Sequence, residues 1–253
     1  MSGSLPPSLT PPRVALLLTP PNPCSYLPDH IASTLFADPN QPMHPQLYQY
    51  LQERGFRRSG NLVYRPYCLT CNDCIPVRIP VNAYRASRNQ KRLLTKNKNL
   101  EHIDRPSGVH PDHFELYQKY IASRHAGGPM DKPDESSFKT FLHCTWMNTR
   151  FHEFRLNDQL MLVIVLDMMP NSLSAVYSFF DPESSEKNSL GSFAILWAIQ
   201  EAQRLEKKYL YLGYWIPNCR KMAYKARFKP LEAYRGRRWR EVNPLDMISL
   251  LDQ

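Results

Sequence analysis

The chain has 253 residues, a formal net charge of +9, 42% hydrophobic residues and 11% aromatics. These values exclude a disordered polyelectrolyte and suit one domain with a smaller partner. No run of about twenty apolar residues occurs, so no membrane span is expected, and "VALLLTPPNP" is too short and lacks the cleavage site of a signal peptide. Six cysteines, three of them clustered, fit a reducing, cytoplasmic setting better than a disulfide frame.

In chain order, "RVALLLTP" reads as a first strand, and "PQLYQYLQERG" reads as a helix stopped by Gly55. "NLVYRP" and "CIPVRIPV" follow as short strands. These segments form a Pro-rich N-terminal module, residues 1–85, that contains the cysteine cluster. The second unit, residues 86–253, opens on a basic helix, "SRNQKRLLTKN", and a strand at "LEHIDR". A further helix, "PDHFELYQKYIASRH", begins with Pro111 and Asp112, residues suited to a first turn. Strands are then expected at "FHEFRLN", "QLMLVIVLDMM" and "SLSAVYSFFDP", followed by the helix "SLGSFAILWAIQEAQRLEKK" and the strand "YLYLGYW". Hairpins followed by strand, helix and strand predict an α+β fold with a mixed sheet of the N-acetyltransferase (GNAT) type, an analogy that carries no function by itself.

The positive charge is concentrated. "YRASRNQKRLLTKNKNLEHIDR" and "RKMAYKARFKPLEAYRGRRWR" interleave Arg and Lys with aromatic rings, and Glu232 is the only acid of the second stretch. Such stretches suit phosphate contact and base stacking, although a solvated face is the commoner meaning of a charge run. No P-loop or dinucleotide fingerprint is present, no DNA partner is expected, and a single glycine in "SFFDPESSEKNSLGSFAI" argues against coenzyme A.

Cys68, Cys71 and Cys74 have C-x2-C-x2-C spacing, and Cys24 in "PNPCSYLPD" supplies a fourth thiol. Four thiolates suit a structural zinc ion or an iron–sulfur cluster, weighed against plain packing of small apolar side chains. Lone Cys144 and Cys219 read as packing residues.

"YLGYWIPNCRKMAYKARFKP", together with "CSYLP", "GFRRSGNLVYRPYCLTCNDCIPVRIPV" and "SRNQKRLLTKNKNL", resembles the bacterial leucyltransferases of the arginyl-tRNA-protein transferase family over roughly residues 13 to 240. The resemblance implies transfer of leucine from Leu-tRNA to the N-terminal Asp or Glu of a protein, which marks it for degradation by the N-degron route. The implied partners are Leu-tRNA and acidic protein N-termini, and no cofactor is required because aminoacyl-tRNA is already an activated ester. Transfer of arginine to the same acceptors, or RNA binding without catalysis, stand as alternatives.

For such chemistry, Asp181 is the expected partner of the acceptor amine. The amides around Leu190 and Gly191 are expected to meet the oxyanion, and Tyr211 and Tyr214 to line the ester. Arg65 and Arg78 are the expected contacts for the acceptor carboxylate. Arg88, Lys91 and Arg92, with Arg235, Arg237 and Arg238, are expected to hold tRNA phosphates, with Lys221 and Lys225 in reserve.

Overall fold

In the computed structural model, described for residues 12–108, 110–124, 127–128 and 130–242 (side chains of 186 and 187 excepted), the apolar runs organise around two larger sheets. The chain begins with strands β1 (Leu16–Leu18), β2 (Asn22–Pro23), β3 (Ile31–Ala32) and β4 (Thr34–Ala37). Helix α1 (Pro45–Gln52) has His44 as its cap and Pro45 at its start. Strands β5 (Arg57–Ser59), β6 (Leu62–Pro66) and β7 (Ile75–Pro80) follow. The antiparallel order β1-β4-β6-β5 makes the first sheet, while β2 and β3 pair as a small ribbon.

Helix α2 (Arg88–Lys96) is started by a reciprocal cap between Ser87 and Gln90. Strand β8 (Glu101–Pro106), helix α3 (Pro111–Arg124) and helix α4 (Glu135–Leu142) lead to β9 (Thr149–Leu156), β10 (Gln159–Met168) and β11 (Ser172–Phe180). Helices α5 (Pro182–Asn188) and α6 (Leu190–Arg204) come before β12 (Tyr209–Trp215). A short α7 (Arg220–Ala223), a 3₁₀ turn (Tyr224–Arg227) and the strands β13 (Glu232–Arg235) and β14 (Arg238–Glu241) complete the described chain. The second sheet runs β14-β13-β7-β12-β11-β10-β9-β8. Only β11 and β12 are parallel, as the strand–helix–strand connection through α6 requires.

Strand β10 shows why the sheet forms. Leu162, Ile164 and Leu166 belong to the core under α6, with Phe193, Leu196 and Ile199. Val163 and Val165 face the other core, with Leu116, Tyr117 and Ile121 of α3 and Phe138 and Leu142 of α4. A strand covered on both faces has no polar side to offer, which explains its unbroken apolar run.

The predicted strands and helices occur at the expected places, although the last residue of "PDHFELYQKYIASRH" lies outside the described residues. The mixed α+β sheet is as expected. Strand β7, from the N-terminal segment, lies between β13 and β12 in the large sheet, so residues before 85 help to build it. The strands at 34–37, 57–59 and 232–241 were not anticipated. The last is a hairpin whose two-residue turn, Gly236 and Arg237, has φ of 55° and 62°. Positive φ at both positions is the I′ geometry that matches strand twist.

Candidate active site

Strands β11 and β12 pair only through Ser172 with Tyr209, Leu173 with Leu210 and Ser174 with Tyr211. Beyond those three pairs both strands continue without bonding each other. Each also carries an irregularity at this point. The register of β11 on β10 skips Val176, and that of β12 on β7 skips Leu212. A bulge bends its strand and frees backbone groups. Two of them facing one another open a gap in the middle of the sheet.

Arg57 enters that gap from β5. Its Nη2 donates to the carbonyls of Ala175 (2.7 Å) and Val176 (3.3 Å), at the bulge of β11. On the other wall the guanidinium rests on Gly213, where a Cβ would lie 1.3 Å from Nη1. Gly213 also has φ of +76°, so side-chain volume and backbone conformation both require glycine. A small cavity beside the guanidinium is bounded by Gln52, Phe56, Val77 and Tyr211.

Lys225, in the 3₁₀ turn, is 5% exposed and donates through Nζ to the carbonyl of Tyr214, the residue after Gly213. Burial, reinforced by Arg57, pushes its amine down to about 7. Tyr214 is itself buried, its hydroxyl donating to the carbonyls of Gly55 (3.1 Å) and Tyr64 (3.3 Å), and burial holds it far above the ordinary phenol range. Tyr26, pushed up to about 12 chiefly by burial, and half-exposed Tyr224 also feel Arg57. Trp215, the next residue of β12, is 2% exposed, and its Nε1 has no hydrogen-bond partner. The gap therefore brings two cations together beside several phenols, while Trp215 packs into the core under α6.

The residues expected from sequence fall into separate groups. Asp181 caps α5 by accepting from the Ser184 amide at 2.8 Å. Leu190 and Gly191 open α6, whose cap residue Ser189 supplies no side-chain bond, and Gly191 lets the helix approach the Phe180 ring. Arg78 is committed elsewhere. Its Nε donates to Glu232 (2.7 Å), its Nη1 to the Tyr211 hydroxyl (3.1 Å), and its plane lies over the rings of Tyr209 and Trp239. Its fork is thus already occupied by a carboxylate, and Tyr211 serves that cluster. Arg65 donates to the Arg54 carbonyl at 3.2 Å and packs near Phe56 and Tyr67. Lys225 lies in the gap instead of on the surface, because a turn folds its ammonium under β12.

Arg88, Lys91 and Arg92 are exposed on α2, a helix without an acidic residue. Positive charge in a first turn opposes the helix dipole, which an external anion relieves. Gln90 of α2 donates to the Arg227 carbonyl at 3.3 Å, so this basic helix abuts the turn that carries Lys225. Arg235, Arg237 and Arg238 stand exposed at the β13–β14 hairpin, and Lys221 is exposed on α7. A surface groove near Trp146 is bordered by Asp38 and by no cation, so it does not suit a polyanion.

Cys24, Cys68, Cys71 and Cys74 come close enough for their charges to interact, and burial with the other three pushes Cys74 up to about 12. The Tyr26 amide donates to Cys24 Sγ at 3.4 Å, and the Asp73 backbone bonds Cys71. Such N–H···S bonds support thiolates, and the donor set fits zinc or an iron–sulfur cluster by its chemistry. Its spacing here does not close on an ion: among the described residues no three His, Cys, Asp or Glu side chains are arranged to hold one. All four are free thiols.

Sequence reasoning passed over Arg57 and Gly213. The signal was present in "GFRRSG", where two consecutive arginines on a strand must face opposite sides.

Comparison with known proteins gives the geometry its context. Residues 22–92 match the family model described as arginine-tRNA-protein transferase, N terminus, and residues 112–235 match its C-terminus model. The aspartate/glutamate leucyltransferase of Stutzerimonas stutzeri (strain A1501) is 51% identical, covering 90% of this chain and 96% of that protein. Its namesake from Pseudomonas fluorescens (strain SBW25) is 48% identical, over 91% and 98%. Among solved structures, the C-terminal domain of a putative lysylphosphatidylglycerol synthetase from Agrobacterium fabrum overlaps 83% of this chain and 69% of that one, at 11% identity and a TM-score of 0.46, a likeness too loose to carry an argument. Near-half identity along nine-tenths of the sequence is decisive: the chain belongs to the arginine-tRNA-protein transferase family, alongside its aspartate/glutamate leucyltransferases.

Proposed function

We propose that the chain transfers leucine from Leu-tRNA to the α-amine of proteins beginning with Asp or Glu, and that the reaction takes place at the gap between β11 and β12. The match to relatives named for this activity carries the reading. The gap supports it, since parting strands expose backbone at the centre of a rigid sheet, beside a basic helix suited to phosphate.

The chemistry asked of the protein is modest. The α-amine nitrogen attacks the ester carbonyl, the C–N bond forms, the ribose oxygen leaves, and the ammonium proton passes to that oxygen. An α-amine has a pKa of about 8, so a useful fraction is neutral near pH 7. Holding amine and ester together supplies much of the acceleration. In this reading Lys225, buried on the Tyr214 carbonyl, is an amine able to relay a proton. Arg88, Lys91 and Arg92 on α2, with Arg235, Arg237 and Arg238 on the hairpin, hold the tRNA backbone. Leucine is favoured over arginine as donor because the relatives matched along nine-tenths of the chain are named for leucyl transfer. Cys24, Cys68, Cys71 and Cys74, which are not arranged around an ion here, would hold a structural zinc ion or iron–sulfur cluster by drawing together, and would then tie the 24–26 segment to the turn before β7. No reaction step passes through it.

The test is incubation of the purified protein with Leu-tRNA or Arg-tRNA and peptides beginning with Asp, Glu or Lys, followed by peptide mass measurement. A leucine increment on Asp and Glu peptides alone, without ATP, is the expected result. No increment from Leu-tRNA contradicts the proposal.

A further inference from the structure

Arg57 differs from the acid-paired arginines of this fold, as does Arg65, which bonds the Arg54 carbonyl. Arg58, Arg78, Arg105, Arg150 and Arg155 each have a carboxylate within salt-bridge distance, whereas no such partner of Arg57 exists among the described residues. Among the described residues its only hydrogen bonds run from Nη2 to two carbonyls, and none of those residues supplies an acceptor to Nε or Nη1. Lys225 is in the same position: its Nζ meets the Tyr214 carbonyl and the Met222 sulfur, and no acid. The two cations rest on consecutive residues of β12, Gly213 and Tyr214. Two sheltered positive charges placed together repel one another, and such an arrangement is stabilised by an anion that enters between them.

We propose that Arg57, seated on Gly213, and Lys225, on the Tyr214 carbonyl, form an anion-binding site for the side-chain carboxylate of the acceptor's N-terminal Asp or Glu. This rests on the leucyl-transfer reading for the identity of the ligand, and on the geometry alone for the existence of the site. A carboxylate suits it better than a tRNA phosphate. A planar guanidinium with two free donors matches a carboxylate that ends a short side chain. A phosphodiester continues in two directions and needs an open track, and the exposed arginines of α2 and the hairpin provide one. The position is also productive for transfer: an Asp or Glu side chain anchored between the strands leaves its own α-amine within a few bonds of the same gap. Gly213 then acts as a specificity device, because any side chain there displaces the guanidinium. The pocket reads charge rather than length, so Asp and Glu are both accepted and Asn and Gln are refused.

The test measures binding of peptides beginning with Asp or Asn to the full chain and to Arg57→Met, Arg57→Lys and Lys225→Met, with tRNA binding and its salt dependence alongside. Arg57→Met is expected to weaken the Asp peptide by about tenfold or more, the size of one lost charge-assisted bond. Binding of the Asn peptide and of tRNA stays unchanged. Arg57→Lys retains part of the preference, because charge remains and the fork is lost, and Lys225→Met reduces it. If Arg57→Met keeps the full Asp-over-Asn preference, the proposal is overturned. A weakened tRNA interaction with that preference intact overturns it too and assigns the anion to phosphate. If Arg57→Met does not fold, hydrogen exchange on the unaltered protein decides. The Asp peptide should protect amides in 213–216 and 224–227, and protection confined to other segments refutes the site. Wild-type protein that prefers Asp peptides but transfers no leucine refutes the proposed reaction and leaves the anion site standing.

Discussion

Arg57 and Arg58 are neighbours on one short strand, and the fold treats them in opposite ways. Arg58 is fully buried. Its Nε and Nη2 each lie 2.6 Å from the Asp167 carboxylate, Nη2 also meets Thr149 at 3.0 Å, and Nη1 reaches the carbonyls of Gly60 and Leu142. Every direction of its fork is answered within the protein, and the pair fastens the four-stranded sheet to β10. Arg57 points to the other side of the strand, into the gap, and finds two carbonyls and no carboxylate. A guanidinium saturated by its own chain is structural, and one left half-bonded in a gap of the sheet is available to a ligand. Arg78, tied to Glu232 and Tyr211, belongs with the first kind despite its aromatic setting.

The contrast breaks most visibly at Asp167. Asp167→Asn leaves the buried Arg58 charge uncompensated and is expected to cost about 3–5 kcal/mol of folding stability. Urea unfolding measures it, and a loss under about 1 kcal/mol would show that Arg58 does not fasten the two sheets together. Next comes Gly213→Ala, which drives a Cβ into the Arg57 guanidinium. Leucyl transfer to an Asp peptide should fall by about a hundredfold, the scale set by misplacing a substrate contact. The fold survives, with only the modest strain of a non-glycine residue at positive φ. Transfer within about threefold of normal would place the reaction elsewhere.

A third test sharpens the comparison between sheltered and exposed cations. Neutralising Arg88, Lys91 and Arg92 together removes up to three phosphate contacts, so the slope of log affinity against log salt for tRNA should flatten by about 2 to 3. An unchanged slope identifies α2 as a solvated face. A fourth concerns pH. Burial holds His102, His113 and His143 below the ordinary imidazole range, and it holds His152 at about 4. An imidazole kept neutral in the fold but free to charge when unfolded stabilises the fold above its unfolded pKa. That contribution is lost as pH falls. Stability should therefore decline between about pH 6.5 and 4, with fully buried His113 and His152 contributing most. The more exposed His102 contributes less, because solvent screens it. An unfolding midpoint that is flat across this window contradicts the assignment. The smallest effect is expected at the thiols: Cys71→Ser should lower thermal stability more than the single-turnover rate, with zinc or iron found by elemental analysis of protein purified without air. Absence of both elements removes the proposed cluster, and a trapped leucyl thioester overturns the mechanism.

Much of the architecture was legible because the residues that specify it are local. The apolar run of β10 and the 190–204 helix announce a sheet covered on both faces, and Pro111 and Asp112 mark the start of α3. The β13–β14 hairpin escaped notice because "YRGRRWR" reads first as charge, and its Gly236–Arg237 turn is conspicuous only once two flanking strands are assumed. The site was less legible for a different reason. Arg57 acquires its meaning from carbonyls about 118 residues away and from a bulge in each of two strands, none of which has a sequence signature. Asp181 shows the converse. It lies in the expected loop, where its carboxylate meets the Ser184 amide as a helix cap. Lys225, read as a surface cation within a basic run, is turned inward by a single 3₁₀ turn.

The most direct test of leucyl transfer in the β11–β12 gap is a side-by-side single-turnover measurement. Wild-type protein and Gly213→Ala, each shown to be folded by its thermal transition, are mixed with Leu-tRNA and an Asp-starting peptide, and the peptide's gain of leucine is followed by mass. Rapid leucylation by the wild type and a rate about a hundredfold lower for the folded variant is the predicted result. Equal rates in the two proteins, or no leucine on the peptide with wild-type protein, would contradict it.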